Sequence, residues 1–213
     1  LMETATGRIR AISNLTRKGD GTGEGRPEYN ESYNHAIGSA VEPGSTFKLA
    51  TLMAAMESGG VRPDDVVETG NGRVTFYGNT MSDSNAEQGG HGNLTVEEVF
   101  AVSSNVGTAL TVSKAFGSEP QRFLDALDAL KVSDRSGIRL AGEAQPKVYK
   151  EVGEGDWSGL SLTQMAIGYE VTQTPLQTLT LYNAVANGGR WVKPQLVEAL
   201  QFNGEVVDVI EQE

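Results

Sequence analysis

The fold of this 213-residue chain is decided by EPGSTFKLATLMAAMESGG, residues 42–60. Its first half places Ser45 and Lys48 three residues apart, and strong helix formers follow as far as Gly59-Gly60. Proline and serine favour the start of a helix, whereas glycine favours its end. The stretch therefore predicts a helix over residues 47–57, with Ser45 at its N-terminus.

Ser45 and Lys48 are also a chemical pair. Residues three apart on a helix lie on the same face, one turn apart. Unpaired N–H groups and the helix dipole at an N-terminus stabilise an oxyanion beside Ser45 and favour the neutral form of Lys48. We therefore expect the Lys48 amine to lie within hydrogen-bond reach of Ser45, where a neutral lysine can take the proton of the serine hydroxyl. A serine that only caps the helix, followed by a lysine on the surface, would show the same Ser-x-x-Lys sequence. This pair alone is therefore a weak signal of catalysis.

Ser103-Ser104-Asn105 forms the second candidate group. Thr95 and Glu98 predict a capping box that opens a helix. The serine and asparagine side chains then compete for backbone hydrogen bonds, which predicts an interruption before the helix resumes at Val106. As chemistry, the group offers a hydroxyl that could relay protons and an amide that could bind a peptide group. A purely structural helix break remains the alternative.

Elsewhere the sequence predicts mainly helices, with strands largely confined to the two ends of the chain. Local patterns predict helices at 119–132, 161–167 and 175–187, a short strand at 73–77, a surface loop at 17–38, irregular backbone at 133–160, and hairpins at Thr6-Gly7 and Asn203-Gly204.

Composition excludes several classes of function. The chain has no cysteine, which removes disulfides, thiolate zinc sites and cysteine nucleophiles. His35 and His91 are the only histidines, so we predict no metal site and no other cofactor. The net charge is −11, and the acidic surplus lies in residues 49–213, which disfavours nucleic acid as a partner. Leu49–Met56, the longest uncharged apolar run, is too short to span a bilayer.

Four stretches in this order resemble the class B penicillin-binding proteins, and most closely the division-specific peptidoglycan transpeptidases. The resemblance covers nearly the whole chain. The stretches are YNESYNHAI at 29–37 with EPGSTFK at 42–48, AVSSNVG at 101–107, IGY at 167–169 with TPLQ at 174–177, and NAVANGG at 183–189 followed by Pro194.

The resemblance implies the fold. It is α/β (α+β), the penicilloyl-serine-transferase fold of β-lactamases and transpeptidases, with a helical lobe plus a partial antiparallel sheet. Residues 1–213 would then be one transpeptidase domain fragment. Its parts would be N-terminal sheet strands at 1–16, a loop to the nucleophile at 17–44, a mainly helical part with both motifs at 45–190, and a C-terminal hairpin at 191–213.

The resemblance also implies roles for individual residues. Ser45 would be the acyl-accepting nucleophile, and its backbone N–H would form half of the oxyanion hole. Lys48 would be the general base, and Ser103 would relay a proton to the leaving group. Asn105, with Ser104, would bind the donor peptide or a β-lactam amide. The substrates would be peptidoglycan stem peptides ending in D-alanyl-D-alanine, and β-lactam antibiotics would also bind.

The family's third motif, lysine-threonine/serine-glycine, does not occur in these residues. The family places that motif further downstream, so we expect a longer parent enzyme, with these residues alone inactive. The resemblance further implies that an upstream segment anchors the parent in the inner membrane. Its domain would lie on the periplasmic face, with membrane proteins of the division machinery as partners.

Two other functions remain open. A serine β-lactamase shares the fold and the Ser-x-x-Lys element. However, class D enzymes have an aliphatic residue where Asn105 stands, and Thr174–Gln177 favours the transpeptidase. A non-catalytic penicillin-binding or scaffold module of the division machinery is the second alternative, and retention of Ser45 and Lys48 argues against it.

Overall fold

The computed structural model describes residues 1–18, 28–58 and 60–211. The α-helices are α1 His35–Gly38, α2 Lys48–Glu57, α3 Val96–Ala101, α4 Asn105–Phe116, α5 Gln121–Ala129, α6 Ser161–Ala166 and α7 Pro175–Ala186. The strands are β1 Leu15–Arg17, β2 Tyr29–Glu31, β3 Val66–Gly70, β4 Arg73–Phe76, β5 Asn79–Ser82, β6 Gly92–Thr95, β7 Ala199–Phe202 and β8 Glu205–Val209. Two short 3-10 helices lie at Gly44–Phe47 and Ala86–Gln88. None of these described helices is long and apolar enough to cross a membrane.

The chain forms two compact units. The first unit comprises residues 1–40, 135–145 and 173–213, and the second comprises 41–134 and 146–172. The part predicted as one mainly helical segment, 45–190, therefore contributes to both units. The second unit holds Ser45, Lys48 and the Ser103–Asn105 group.

Helices form the core of the second unit. Helix α2 packs against α4 and α5, and α4 also packs against α6. The rings of Phe116 and Phe123 contact each other with centroids 5.4 Å apart, and both are almost fully buried. Burying one such side chain contributes roughly 1.5–3 kcal/mol, so this contact holds α4 and α5 together.

The second unit also contains two antiparallel strand pairs. Strand β3 pairs with β6, and β4 forms a hairpin with β5. The predicted strand at 73–77 is confirmed as β4. The expectation that strands are largely confined to the chain ends is wrong. The partner of β3 lies more than 20 residues further along the chain, so no local sequence pattern marks this pair of strands.

The predicted interruption between two helices is confirmed. Thr95 and Glu98 form the capping box that starts α3, with N···O distances of 2.8 and 3.1 Å. Helix α3 ends at Ala101 and α4 begins at Asn105. Ser103 lies between them with φ +56°, in the left-handed region that side chains other than glycine rarely adopt. Helices α5, α6 and α7 and the irregular segment 133–160 also agree with the sequence predictions.

In the first unit, α7 begins with a second capping box, between Thr174 and Gln177. Leu176, in the first turn of α7, forms a small buried cluster with Ile37 and Ile138. The predicted hairpin at Asn203-Gly204 is confirmed, since it joins β7 to β8.

The N-terminal predictions need correction. The strands expected at 1–16 reduce to two isolated bridges, Met2 with Ile9 and Arg8 with Gln195, plus β1. The segment 17–38, expected to be a loop, contains β2, which pairs with β1, and helix α1. All side chains of β1 and β2 are exposed, so this pairing relies on backbone hydrogen bonds and leaves no alternating hydrophobic pattern. The glycine-rich part at 19–27 and the helix-ending Gly59 lie outside the described residues.

Candidate active site

Ser45 lies in the 3-10 turn Gly44–Phe47, and the α-helix proper begins at Lys48. The Ser45 carbonyl accepts the backbone N–H of Lys48, so the turn runs directly into α2. The Ser45 residue itself is exposed. The prediction that Ser45 starts a helix is therefore refined to a tighter first turn, on which the residue is exposed.

Lys48 is buried, with 1% of its surface exposed. Its ammonium donates to the Ser103 carbonyl at 2.6 Å, to Ser103 Oγ at 3.1 Å and to Asn105 Oδ1 at 2.7 Å. The structure thus brings together three of the residues that the sequence predicted for the site, although 55 positions separate Lys48 from Ser103.

Burial of Lys48 lowers the pKa of its ammonium from 10.5 to about 8, and the negative charge of Asp83 opposes this shift. Burial acts in this direction because it penalises the charged form of a lysine. A lysine with this pKa is neutral often enough near physiological pH to accept a proton.

The expected hydrogen bond between Lys48 and Ser45 is not formed. Among the described residues 1–18, 28–58 and 60–211, the Ser45 hydroxyl has no hydrogen-bond partner, and Lys48 donates to Ser103 and Asn105 instead. A desolvated ammonium needs strong acceptors, and the turn at 103–105 offers a carbonyl, an amide oxygen and a hydroxyl. The exposed Ser45 hydroxyl therefore remains available to a ligand.

Asn105 joins the site to the end of strand β5. Its Oδ1 accepts from Lys48, while its Nδ2 donates to the Ser82 carbonyl at 3.1 Å. The two partners fix the orientation of the amide, since one demands an acceptor and the other a donor. The residue is half-buried, so part of it still faces solvent.

Ser104 requires a correction. Only 1% of this residue is exposed, and its hydroxyl caps helix α4 by accepting the N–H of Gly107 at 2.8 Å. The same hydroxyl donates to Asp83 Oδ2 at 2.8 Å. A buried hydroxyl with both functions engaged inside the protein cannot reach a substrate, so the substrate-binding role predicted for Ser104 is replaced by a structural one.

Asp83 is the residue that the sequence analysis missed. It lies directly after β5, has 6% of its surface exposed, and accepts hydrogen bonds from Ser104 Oγ and from the Val106 N–H at 3.0 Å. Its surroundings, Ser82-Asp83-Ser84-Asn85, resemble an ordinary turn. No local signal links this carboxylate to a helix start that comes 21 residues later.

Across the described part of the chain, no group of three or more histidine, aspartate or glutamate side chains could hold a metal ion. His35 instead lies 2.8 Å from the Ser39 hydroxyl and contacts the edge of Tyr33. The groups available for chemistry at the site are thus two exposed serines, one buried lysine and one amide.

An exposed serine hydroxyl one turn from a buried lysine of lowered pKa, within a mixed helix and strand fold, is the arrangement of a serine acyltransferase. Residues 1–212 match the family described as penicillin-binding protein transpeptidase domain, and the chain belongs to that family. The resemblance stated from the sequence is confirmed.

Curated relatives agree with this assignment. The chain is 30% identical over 204 residues to the penicillin-binding protein PbpB of Mycolicibacterium smegmatis, covering 93% of this chain and 29% of the relative. It is 27% identical over 190 residues to the peptidoglycan D,D-transpeptidase FtsI of Escherichia coli, covering 89% and 30%. The chain thus spans under a third of the length of these two relatives.

Solved structures show the same fold. Penicillin-binding protein 3 of Mycobacterium tuberculosis, in complex with aztreonam, matches with a TM-score of 0.71 and 30% identity, over 87% of this chain and 39% of that one. The transpeptidase domain of penicillin-binding protein 3 from Burkholderia pseudomallei matches with a TM-score of 0.72 over 98% of this chain and 55% of that one. Its 20% identity supports the fold alone. The predicted penicilloyl-serine-transferase fold is confirmed.

Proposed function

We propose that the protein is a peptidoglycan D,D-transpeptidase that cross-links stem peptides through an acyl-enzyme on Ser45 and that β-lactams block. The observation that carries this proposal is the Lys48 ammonium, buried one turn from Ser45 and hydrogen-bonded to Ser103 and Asn105. The names of relatives support it, since one is a peptidoglycan D,D-transpeptidase and a solved neighbour binds aztreonam.

In the first half-reaction, Ser45 Oγ attacks the carbonyl carbon of the penultimate D-alanine, and neutral Lys48 takes the hydroxyl proton. Ser103 passes a proton to the nitrogen of the terminal D-alanine and takes one in return from the Lys48 ammonium, which is 3.1 Å from its Oγ. The C–N bond breaks, and a serine ester remains. In the second half-reaction, an amine of a neighbouring stem attacks that ester. The new amide forms, Ser45 leaves, and a proton from the amine returns to its oxygen.

The lowered pKa of Lys48 supports its role as the base. With a pKa of about 8, roughly a quarter of the Lys48 side chains are neutral at pH 7.5, whereas about one in a thousand ordinary lysines would be. The position of Ser45 in the first turn before α2 supports an oxyanion hole, because backbone N–H groups there lack partners within the helix.

Asn105 is proposed to hold the donor peptide or a β-lactam amide. Its half-buried side chain is fixed by Lys48 on one side and Ser82 on the other. Because this amide is already fixed, it can orient a ligand without the loss of conformational entropy that ordering a free side chain would cost.

We also propose that the protein acts in septal wall synthesis during cell division, on the periplasmic face of the inner membrane. An upstream segment would anchor it, and membrane proteins of the division machinery would be its partners. The resemblance to the division-specific members supports this proposal. A fluorescent fusion of the protein at its natural length should concentrate at the division site, and uniform peripheral fluorescence would contradict this.

The test of the activity is covalent labelling by fluorescent penicillin of the protein at its natural length. We expect stoichiometric labelling, with mass spectrometry placing the adduct on the peptide that contains Ser45. Ser45→Ala should abolish labelling, and Ser118→Ala, at an exposed serine, should not. Absence of labelling would favour a non-catalytic module, and rapid loss of the label by hydrolysis would favour a serine β-lactamase.

A further inference from the structure

Asp83 is a buried carboxylate next to the candidate site that the reaction steps above do not use. Its backbone is fixed on both sides, because its N–H donates to the Gly72 carbonyl at 2.9 Å and its carbonyl accepts from Ala86 N at 3.2 Å. The side chain therefore has a defined position at the end of β5.

Both oxygens of Asp83 hold the start of helix α4. Oδ2 accepts from the Ser104 hydroxyl at 2.8 Å, and Oδ1 accepts the N–H of Val106 at 3.0 Å. Ser104 in turn accepts from Gly107. Free N–H groups in the first turn of a helix need such partners, and a carboxylate there also complements the helix dipole.

The neighbouring residue Ser82 completes the attachment. Its carbonyl accepts from Asn105 Nδ2, which turns Asn105 Oδ1 towards Lys48. Ser103, between α3 and this clamped start of α4, is thereby held with its carbonyl and hydroxyl against the same ammonium. Two consecutive residues at the end of one strand thus fix the turn that Lys48 contacts.

Asp83 also carries the charge that acts on Lys48. The charged side chains on the helices packed against α2 are exposed, and among the described residues only Asp83 shifts the titration of the ammonium by its charge. Those exposed side chains are Glu97, Glu98, Lys114, Arg122, Asp125 and Asp128.

We propose that Asp83 is a positioning residue for acylation, which fixes the Ser103–Asn105 turn against Lys48 through Ser104 and Val106 and whose negative charge stabilises the Lys48 ammonium. This proposal rests on the proposed function, because its consequences are read from acylation of Ser45. It assigns to Asp83 no contact with substrate.

The test is the pH profile of acylation by fluorescent penicillin in Asp83→Asn, which keeps the shape and removes the charge. In the unmodified protein, the rate should rise with pH through the pKa of Lys48, about 8. Loss of the charge destabilises the ammonium, so its pKa falls and the midpoint should move to lower pH by about one unit. The plateau rate should also fall, by roughly 10²-fold, because the turn loses an acceptor.

Asp64→Asn is the matched control. It removes the same charge from an exposed side chain that pairs with Arg62, and it should leave the midpoint and the plateau unchanged. If Asp83→Asn lowers the plateau with an unchanged midpoint, the proposed effect of the charge is overturned. If the unmodified protein is not labelled, the proposed function fails instead, so the two failures are distinct.

Ser104→Ala tests the positioning part, and it decides that part if Asp83→Asn does not fold. This variant keeps the charge and removes the hydroxyl that joins Asp83 to the turn. We expect a plateau at least about tenfold lower with the midpoint unchanged. A rate equal to that of the unmodified protein would overturn the positioning role.

Discussion

The carbonyl of Gly168 accepts a hydrogen bond from the N–H of Gly44 at 3.1 Å, so that two backbone segments lie in direct contact. A Cβ atom on Gly168 would lie 2.1 Å from the Gly44 carbonyl oxygen, and Gly168 has φ +85°. Gly44 directly precedes Ser45. The position of the candidate nucleophile therefore depends on the absence of a side chain at residue 168.

Gly168→Ala should destabilise the protein by at least about 2 kcal/mol, since it adds a steric clash to an unfavourable φ. It should also slow labelling of Ser45. Gly189→Ala is the matched control, because Gly189 has the same φ of +85° with no atom within 4 Å of the added Cβ. Urea denaturation should show a clearly smaller loss for the control, and equal losses would contradict the clash.

Ser103 offers a second matched pair, because its φ of +56° is unfavourable for any residue with a Cβ. Ser103→Ala and Ser103→Gly both remove the hydroxyl that Lys48 contacts, and both should slow acylation to a similar extent. Only glycine relieves the backbone strain, so Ser103→Gly should be more stable than Ser103→Ala by about 1 kcal/mol. Thermal or urea unfolding measures the difference, and equal stability would show that the backbone relaxes.

The lowered pKa of Lys48 predicts a pH dependence of stability. The unfolded chain binds a proton at Lys48 up to about pH 10.5, whereas the folded chain loses it near pH 8. Between these values the unfolded state binds more protons, so the free energy of unfolding rises with pH. From pH 7.5 to 9.5, the unmodified protein should gain about 2 kcal/mol relative to Lys48→Met.

The measurement for Lys48→Met is urea denaturation of both proteins at each pH. The exposed residue Lys131 provides the control, and the stability difference for Lys131→Met should stay flat over this range. A flat difference for Lys48→Met as well would mean that the folded state does not lower the pKa of Lys48.

Asn105→Asp should shift the acylation profile in the opposite direction to Asp83→Asn. The new carboxylate would replace the amide oxygen that lies 2.7 Å from Lys48 Nζ. An opposite charge at that distance raises the pKa of a lysine by about 1–3 units, so the midpoint of the acylation rate should move to higher pH. Asn93→Asp, on an exposed position of β6, should leave it in place. A midpoint that falls in Asn105→Asp would contradict the geometry.

Elements that are marked by a local signal could be predicted from the sequence. The capping box at Thr95 and the turn at Asn203-Gly204 each lie within four residues, and each marks a real boundary. The family resemblance added the association of Lys48 with Ser103 and Asn105, which the structure shows as hydrogen bonds.

Elements whose partners are distant along the chain could not be predicted from the sequence. Strand β3 pairs with β6 across more than 20 residues, and β1 pairs with β2 through exposed residues that show no hydrophobic alternation. The role of Ser104 was wrong for the same reason. The structural role of its hydroxyl depends on Asp83, which follows a separate strand and lies beside Ser104 only in the folded protein.

The three hydrogen bonds of Lys48 limit how this residue can act in its proposed role as a base. A protonated amine has three N–H bonds and can donate to the Ser103 carbonyl, Ser103 Oγ and Asn105 Oδ1 together, but a neutral amine has only two and one lone pair. Deprotonation therefore frees one acceptor. The contact with Ser103 Oγ, at 3.1 Å the longest, is the one that can reverse, because a hydroxyl can also donate. Each ionisation of the lysine is then coupled to a rotation of the Ser103 hydroxyl, which must turn away again before Lys48 can accept a proton from Ser45.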